Sequence, residues 1–381
     1  MPRFDSLRKL FPALSALCTA ALVSGGAVAE PSVGFIKLNS LSWQGGVASA
    51  ETTHGNRLEL GLDQKLQLEV EQALTRSKAI AGAALLVDPN SGQILAAAEI
   101  GSDPRGSLLF DPVAPAASVF KLVTTIALYE RTSVTPLTQV CTKGGLRDIE
   151  RAHLSPARGP DAICTKFAHA LGVSRNAVYA QLATEQLMRT DLEEVANILG
   201  FGGPLTLDHS AKVGEVEIPY NDLEFAKTAA GFKNSRLSAL GAAHIALSIA
   251  REGTSIPMHF TRAPGPASPS RVMSVRTARR LRDAMEVTIH SGTARSSFVD
   301  AHGKSTVGPV QVAGKTGTLQ ETPGGPTTSW FVGFAPSENP SIIVSVVLQN
   351  PVKWHRRGHE VARDLLRSYL AGLGVRMARH P

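Results

Sequence analysis

The stretch PAASVFKLVTT, residues 115–125, puts a serine, Ser118, three residues before a lysine, Lys121. Behind Pro115 the chain reads as a helix, with Phe120, Leu122, Val123, Ile126 and Leu128 at helical spacing. Side chains at i and i+3 share a helix face, so the hydroxyl and the amine can meet. Two readings follow. In one, the pair is a nucleophile with its base. In the other, a serine opens the first turn and the lysine lies on a solvated face. The same spacing recurs at Ser6 and Lys9, in DSLRKL, so the pair alone does not choose between them.

Outward from that helix the apolar pattern is clear. LDQKLQLEVEQAL, from Leu62, is an amphipathic helix. GAALLVDPNSGQILAAAEI, residues 82–100, is two apolar runs around a Pro-Asn-Ser-Gly turn, hence a hairpin. Residues 131–235 read mostly as loops and helices, and DLEEVANILGFG ends at Gly200. SALGAAHIALSIAREG is a buried helix stopped by Gly253, and VRTARRLRDAMEVTIHSG is another helix. GPVQVAG, TTSWFVGFAP and SIIVSVVLQ read as strands, and EVARDLLRSYLAGL as a closing helix. Strands at both ends with helices between predict an α+β fold: an antiparallel sheet flanked by helices, with a mostly helical subdomain. The cleft is expected where the helical block meets the sheet.

The 381 residues suit one large domain or two smaller ones, and 43% hydrophobic content supports a real core. Residues 1–29 read as an export signal. Arg3, Arg8 and Lys9 start it, LFPALSALCTAALV is a short apolar core, and AVA precedes Glu30. An uncleaved anchor is the alternative, so membrane association stays open. Residues 30–60 are polar and Gly-rich and read as a linker or small pedestal, leaving 61–381 as the main domain. Removing 1–29 lowers the net charge from +7 to +5. That suits an anionic wall or membrane surface, and no long basic run calls for nucleic acid. Cys141 and Cys164 remain in the exported chain, and an oxidising compartment favours a disulfide over two separate buried thiols.

Two further motifs bear on the serine. GVSRNAVYA carries Ser174 and Asn176, a Ser-x-Asn that also recurs at Ser337 and Asn339. VAGKTGTLQ carries Lys315, Thr316, Gly317 and Thr318 directly after an apolar strand, and Lys-Thr-Gly occurs once. Other candidates are weaker. His355 and His359 stand at i,i+4, but Gly358 interrupts a helix there and no third ligand is evident, so no metal is expected. GFGG, residues 200–203, ends a helix rather than opening one, which disfavours a phosphate loop. Glu193 and Asn197 lie on a segment that reads as an ordinary amphipathic helix.

Ser-x-x-Lys, Ser-x-Asn and Lys-Thr-Gly, in that order, form the signature of penicillin-binding proteins and serine β-lactamases. The framing stretches VDPNSGQILA, PAASVFKLVTTIALYE, SRNAVYAQLA, HSGTA and KTGT…SWFVGFAP resemble the transpeptidase domain of a class B penicillin-binding protein, over roughly residues 60–375. The resemblance implies a catalytic set of Ser118, Lys121, Ser174 and Lys315. It implies substrate binding by Asn176, Thr316, Gly317 and Thr318, and no cofactor. Ser118 is then the nucleophile and Lys121, when neutral, its base. Ser174 bridges the lysines, and the backbone N–H groups of Ser118 and Thr318 form an oxyanion hole.

The implied activity is a D,D-transpeptidase in the periplasm or another extracytoplasmic space. It would cross-link peptidoglycan stem peptides, be acylated by β-lactams, and leave further cell-wall synthesis partners open. A D,D-carboxypeptidase and a class D-like β-lactamase stay as alternatives, the latter disfavoured by Asn176 where a Ser-x-Val is usual. A β-lactam or muropeptide sensor with little turnover is the alternative of another class. It gains from the short span before Ser118, which departs from the usual pedestal.

Overall fold

The central strands of the sheet are largely apolar because both sheet faces are covered. A computed structural model describes residues 36–379 except 147, 207–209 and 263–267, so the expected export segment lies outside the described residues. In chain order come β1 (Ser42–Gln44), β2 (Val47–Glu51), β3 (Arg57–Leu60), α1 (Gln64–Ser77), β4 (Ala81–Val87) and β5 (Ile94–Ile100). Strand β6 (Ala114–Pro115) leads through a 3-10 turn, Ala117–Val119, into α2 (Phe120–Arg131). Then follow β7 (Gln139–Thr142), β8 (Ile163–Lys166), α3 (Phe167–Gly172), α4 (Asn176–Gln186) and α5 (Arg189–Ile198). The next elements are β9 (Leu205–Thr206), β10 (Ser210–Ala211), β11 (Gly214–Val216), α6 (Asp222–Ala229), β12 (Ser235–Leu237) and α7 (Ala239–Ala250). Strands β13 (Thr254–Ser255) and β14 (Ser270–Arg271) precede α8 (Val275–His290) and α9 (Arg295–Phe298). The chain closes with β15 (Ala313–Gln320), β16 (Thr327–Ala335), β17 (Ile342–Asn350) and α10 (Gly358–Arg379).

The main sheet runs β15-β16-β17-β4-β5, antiparallel throughout. Every residue of β4, β16 and β17 is buried. Alternation sorts their side chains. Ala83, Leu85, Trp330, Val332 and Val347 face the core shared with α2 and α7. Ala84, Leu86, Phe331, Val346 and Leu348 face Val70 and Leu74 of α1 and Leu365 and Leu366 of α10. Helix α7 is apolar all round and nearly all buried, as a helix packed under a sheet must be. Ser238 caps it, accepting from Gly241 N, and Asp63 caps α1, accepting from Lys65 N and Leu66 N.

Two expectations need adjustment. Residues 36–60, read as a linker or small pedestal, form the sheet β1-β2-β3. Ala48, Ala50 and Leu60 are buried in the main core, and Gly61 N donates to Phe260 O at 2.8 Å. This stretch packs into the main unit and is not a linker. The helix expected directly behind Pro115 starts later, at Phe120, with Ser118 on the 3-10 turn before it.

Cys141 and Cys164 face each other across the β7–β8 pair and are joined by a disulfide, with Cα atoms 3.9 Å apart. The bridge closes a loop with a sequence separation of 23 residues. On the chain-entropy estimate such a bridge adds about 3 kcal/mol. Reduction should raise the intact mass by two and lower the guanidinium midpoint. The Cys141→Ser/Cys164→Ser double variant should match the reduced protein, and identical midpoints for oxidised and reduced protein would refute a stabilising role.

Candidate active site

Ser118 is carried on a strained turn held from three sides. Ala117, just before it, has φ 48, a left-handed conformation that costs a residue with a Cβ. Gly231 lies against this turn, and a Cβ there would come within 2.0 Å of Ala117 O. Only glycine fits, and its own φ of 79 adds a second reason. Gly317 of β15 lies on another side, where a Cβ would approach Ala117 Cβ to 3.3 Å. On a third, Trp330 of β16 donates its indole N–H to Pro115 O at 2.8 Å.

The turn delivers the serine to the lysine. Lys121 Nζ donates to Ser118 Oγ at 2.7 Å and to Ala230 O at 2.6 Å. Lys121 and Lys315 are both fully buried. Burial pushes Lys315 down to about 7. Burial, and then the charge of Lys315, push Lys121 well below the ordinary lysine value. Burial and the like charge of Lys315 both favour the neutral form of the Lys121 amine. A neutral amine in contact with a hydroxyl is the arrangement a general base requires.

Lys315 Nζ donates to Ser174 Oγ at 3.1 Å and to Thr316 O at 2.9 Å. Ser174 has φ 57 at the entrance to α4. It touches Lys315 only: among the described residues no hydrogen bond joins it to Lys121, so the expected bridge between the lysines is half made. Asn176 Nδ2 donates to Leu146 O at 2.7 Å, tying the first residue of α4 to the disulfide-closed loop. Thr316 is buried and its hydroxyl pairs with that of Thr293. Thr318 is exposed at the cavity wall. Strand β15 is an edge of the main sheet, so its outer side offers unpaired backbone groups beside the serine.

These groups line a cavity of about 1620 Å³ that Ser118, Asn176, Thr318, Asn234, Arg236 and Trp354 share. Arg236 of β12 donates to Val113 O at 2.6 Å and pairs with Glu321 at 2.5 Å. Glu321 also meets Arg105 at 3.3 Å. The end of β15 is therefore fastened to the strand that leads to Ser118. Glu193 and Asn197 line the same cavity. Among the described residues Glu193 makes no hydrogen bond to the serine or to either lysine. His355 precedes α10 and His359 lies within it, so they do not share a helix face.

Motif reading did not assign Gly231, Trp330, Arg236 or Thr293. Thr293 lay within HSGTA, quoted only as framing. Gly231 and Arg236 carried no local signal, because their roles exist only once β12, α6 and the serine turn come together.

Comparison with known proteins bears on the family and the fold. Residues 82–370 match the family model described as the penicillin binding protein transpeptidase domain. Stage V sporulation protein D of Bacillus subtilis is 25% identical over 362 residues, covering 84% of this chain and 54% of that protein. The probable peptidoglycan D,D-transpeptidase PenA of Neisseria gonorrhoeae is 25% identical over 354 residues, covering 84% of this chain and 57% of that one. The chain thus spans little more than half the length of these relatives. The fold is that of the TP domain of Burkholderia pseudomallei penicillin-binding protein 3, in its apo structure. That match has TM-score 0.66 and 24% identity, covering 84% of this chain and 97% of that one. The D,D-transpeptidase domain of a peptidoglycan glycosyltransferase from Eggerthella lenta gives TM-score 0.67 at 20% identity, covering 87% of this chain and 96% of that one. With three quarters of its length matched, this chain belongs to the penicillin-binding protein transpeptidase domain family.

Proposed function

We propose that the chain is a serine D,D-transpeptidase that cross-links peptidoglycan stem peptides outside the cytoplasm through an acyl-enzyme on Ser118. The observation that carries this is the 2.7 Å contact between Ser118 Oγ and a buried Lys121 amine. Lys121 takes the Ser118 proton as Oγ bonds to the carbonyl carbon of the penultimate D-alanine. The backbone N–H groups of Ser118 and Thr318 receive the oxyanion. The C–N bond then breaks as the proton held on Lys121 goes to the leaving nitrogen by way of the Ser174 hydroxyl, which has to turn from Lys315 toward Lys121 to carry it, and the terminal D-alanine leaves as the amine. The amine of a second stem peptide attacks the ester, gives up its proton and frees Ser118.

Lys315, Thr316 and Thr318 are suited to the substrate carboxylate, and the open edge of β15 to an extended peptide. Asn176 is placed for the peptide's amide. A β-lactam would follow the same first step and remain as a stable ester. A membrane anchor stays open, since no helix among the described residues is long and apolar enough to cross a membrane.

An intact-mass time course with benzylpenicillin tests this. A Ser118-dependent adduct lasting many minutes is expected, and Ser118→Ala should show none. Lys121→Ala should slow acylation by about a hundred- to ten-thousand-fold without lowering the Tm at pH 7. Acylation of Lys121→Ala at the wild-type rate would remove the lysine from the base role. An adduct that forms and vanishes as the drug is hydrolysed would mean a β-lactamase. An adduct with no turnover of a stem-peptide mimic would mean a sensor.

The pH profile of the second-order acylation constant provides a further check. As pH falls, Lys121 gains a proton and can no longer accept one, so the rate drops. As pH rises past about 7, Lys315 loses the charge that holds the carboxylate, and the rate drops again. A bell is expected, with its two limbs belonging to the coupled lysine pair. A rate flat from pH 5 to 10 would contradict it.

A further inference from the structure

Tyr179 has no part in the acyl-transfer steps above, yet it sits directly behind the base. It is on α4, one turn after Asn176, and is fully buried. Its ring centroid lies 5.6 Å from Lys121 Nζ. Its hydroxyl is engaged elsewhere, sharing a 2.8 Å hydrogen bond with Thr125 Oγ1. Thr125 in turn donates to Lys121 O at 2.7 Å, which leaves the tyrosine as the donor to the threonine. The ring is also packed against Phe167, centroid to centroid 5.4 Å. So the ring is fixed at its hydroxyl and on a second side, and cannot swing away from the amine.

The surroundings of Lys121 sharpen the point. When protonated, its amine has three N–H donors. Ser118 Oγ and Ala230 O account for two. The end of α6 contributes backbone carbonyls there, Ala229 O to Thr124 and Ala230 O to Lys121. The titratable groups around the pair are Lys315 from β15 and Tyr179 from α4, with Tyr129 from α2 behind Tyr179. No carboxylate among the described residues bonds to Lys121. A charge formed on this amine therefore has a like-charged neighbour and no counter-ion. The aromatic ring is an electron-rich surface within reach of it.

We propose that Tyr179 is a positioning residue for acyl transfer, its ring steadying the ammonium that Lys121 becomes on taking the serine proton. This rests on the reading of Ser118 as nucleophile and Lys121 as its base. A ring's quadrupole attracts a cation far more than a neutral amine, and more strongly where water is excluded. The attraction thus grows as the proton moves, which is the condition for speeding the step rather than only tightening the resting state. The same attraction keeps Lys121 a stronger base than burial alone would leave it.

The competing account is a tyrosine that only fills the core. Phenylalanine at position 179, and a series of increasingly fluorinated phenylalanines there, keep the shape while draining the ring's negative face. Acylation of the full chain by benzylpenicillin is followed by intact mass across pH. Down the fluorinated series the plateau rate should fall stepwise, to about 3- to 10-fold below Tyr179→Phe. The acid limb should move down by about half to one pH unit. Equal rates and an unmoved limb across the series would overturn the proposal.

Tyr179→Leu removes the ring and should act in the same direction. An acid limb moving upward in that variant would mean that water has reached the amine, and would count against the ring. Should Tyr179→Leu fail to fold, the fluorinated series still decides. The failures are separable: Ser118→Ala or Lys121→Ala acylating normally would sink the reading of the site. Both of those losing acylation while the ring series stays flat would sink the role of Tyr179 alone.

Discussion

A lysine amine sealed from water beside a second lysine is a conformation no isolated segment of this chain would choose. The fold imposes it. Lys121 is fully buried on α2, Lys315 is fully buried on β15, and among the described residues each has only hydroxyls and carbonyls as hydrogen-bond partners. Holding two such groups near each other runs against both desolvation and charge repulsion. The large two-sided core supplies the stability that tolerates it. The same burial that disfavours the charged amines favours a neutral Lys121, which on the proposed mechanism is what leaves it free to accept the proton of a serine hydroxyl.

Backbone strain accompanies this. Ala117 and Ser174 both take left-handed conformations beside the lysines. Glycine is needed where backbone approaches the serine turn at Gly231, and at Gly317 a Cβ would crowd Ala117 and Trp330. Trp330 reaches across from the sheet to the carbonyl of Pro115. Ser118 is thus placed by β6, β15, β16 and the end of α6 together, and its position is a property of the packed core rather than of the motif.

Much of this was legible in the sequence. The runs AGAALLV and IIVSVVLQN have no polar face, which marks strands covered on both sides, and the structure buries every residue of each. Ser118 and Lys121 are three apart, and local geometry alone brings them into contact. Lys315 and Ser174 are 141 residues apart, and their meeting followed from the resemblance, not from periodicity. The rest was not legible, for physical reasons. Ala117 gives no sign of a left-handed backbone, since alanine is a good helix former. The stretch 36–60 lacks a strong period because its strands are short and only half buried. Tyr179 reads as an ordinary core aromatic, and its relation to Lys121 depends on how α4 crosses α2.

The dependence of the base on burial has a consequence for the life of the chain before it is folded. In an extended polypeptide Lys121 is hydrated, far from Lys315, and an ordinary ammonium. Ser118 is then as inert as any serine in water. On the proposed mechanism, reactivity is acquired only at closure, when the hairpin of β15 and β16 seats against the turn that carries Ser118. The nascent chain is in effect a latent reagent, harmless to bystander esters and amides along its route. On the proposed mechanism, completion of the fold serves as its activation step.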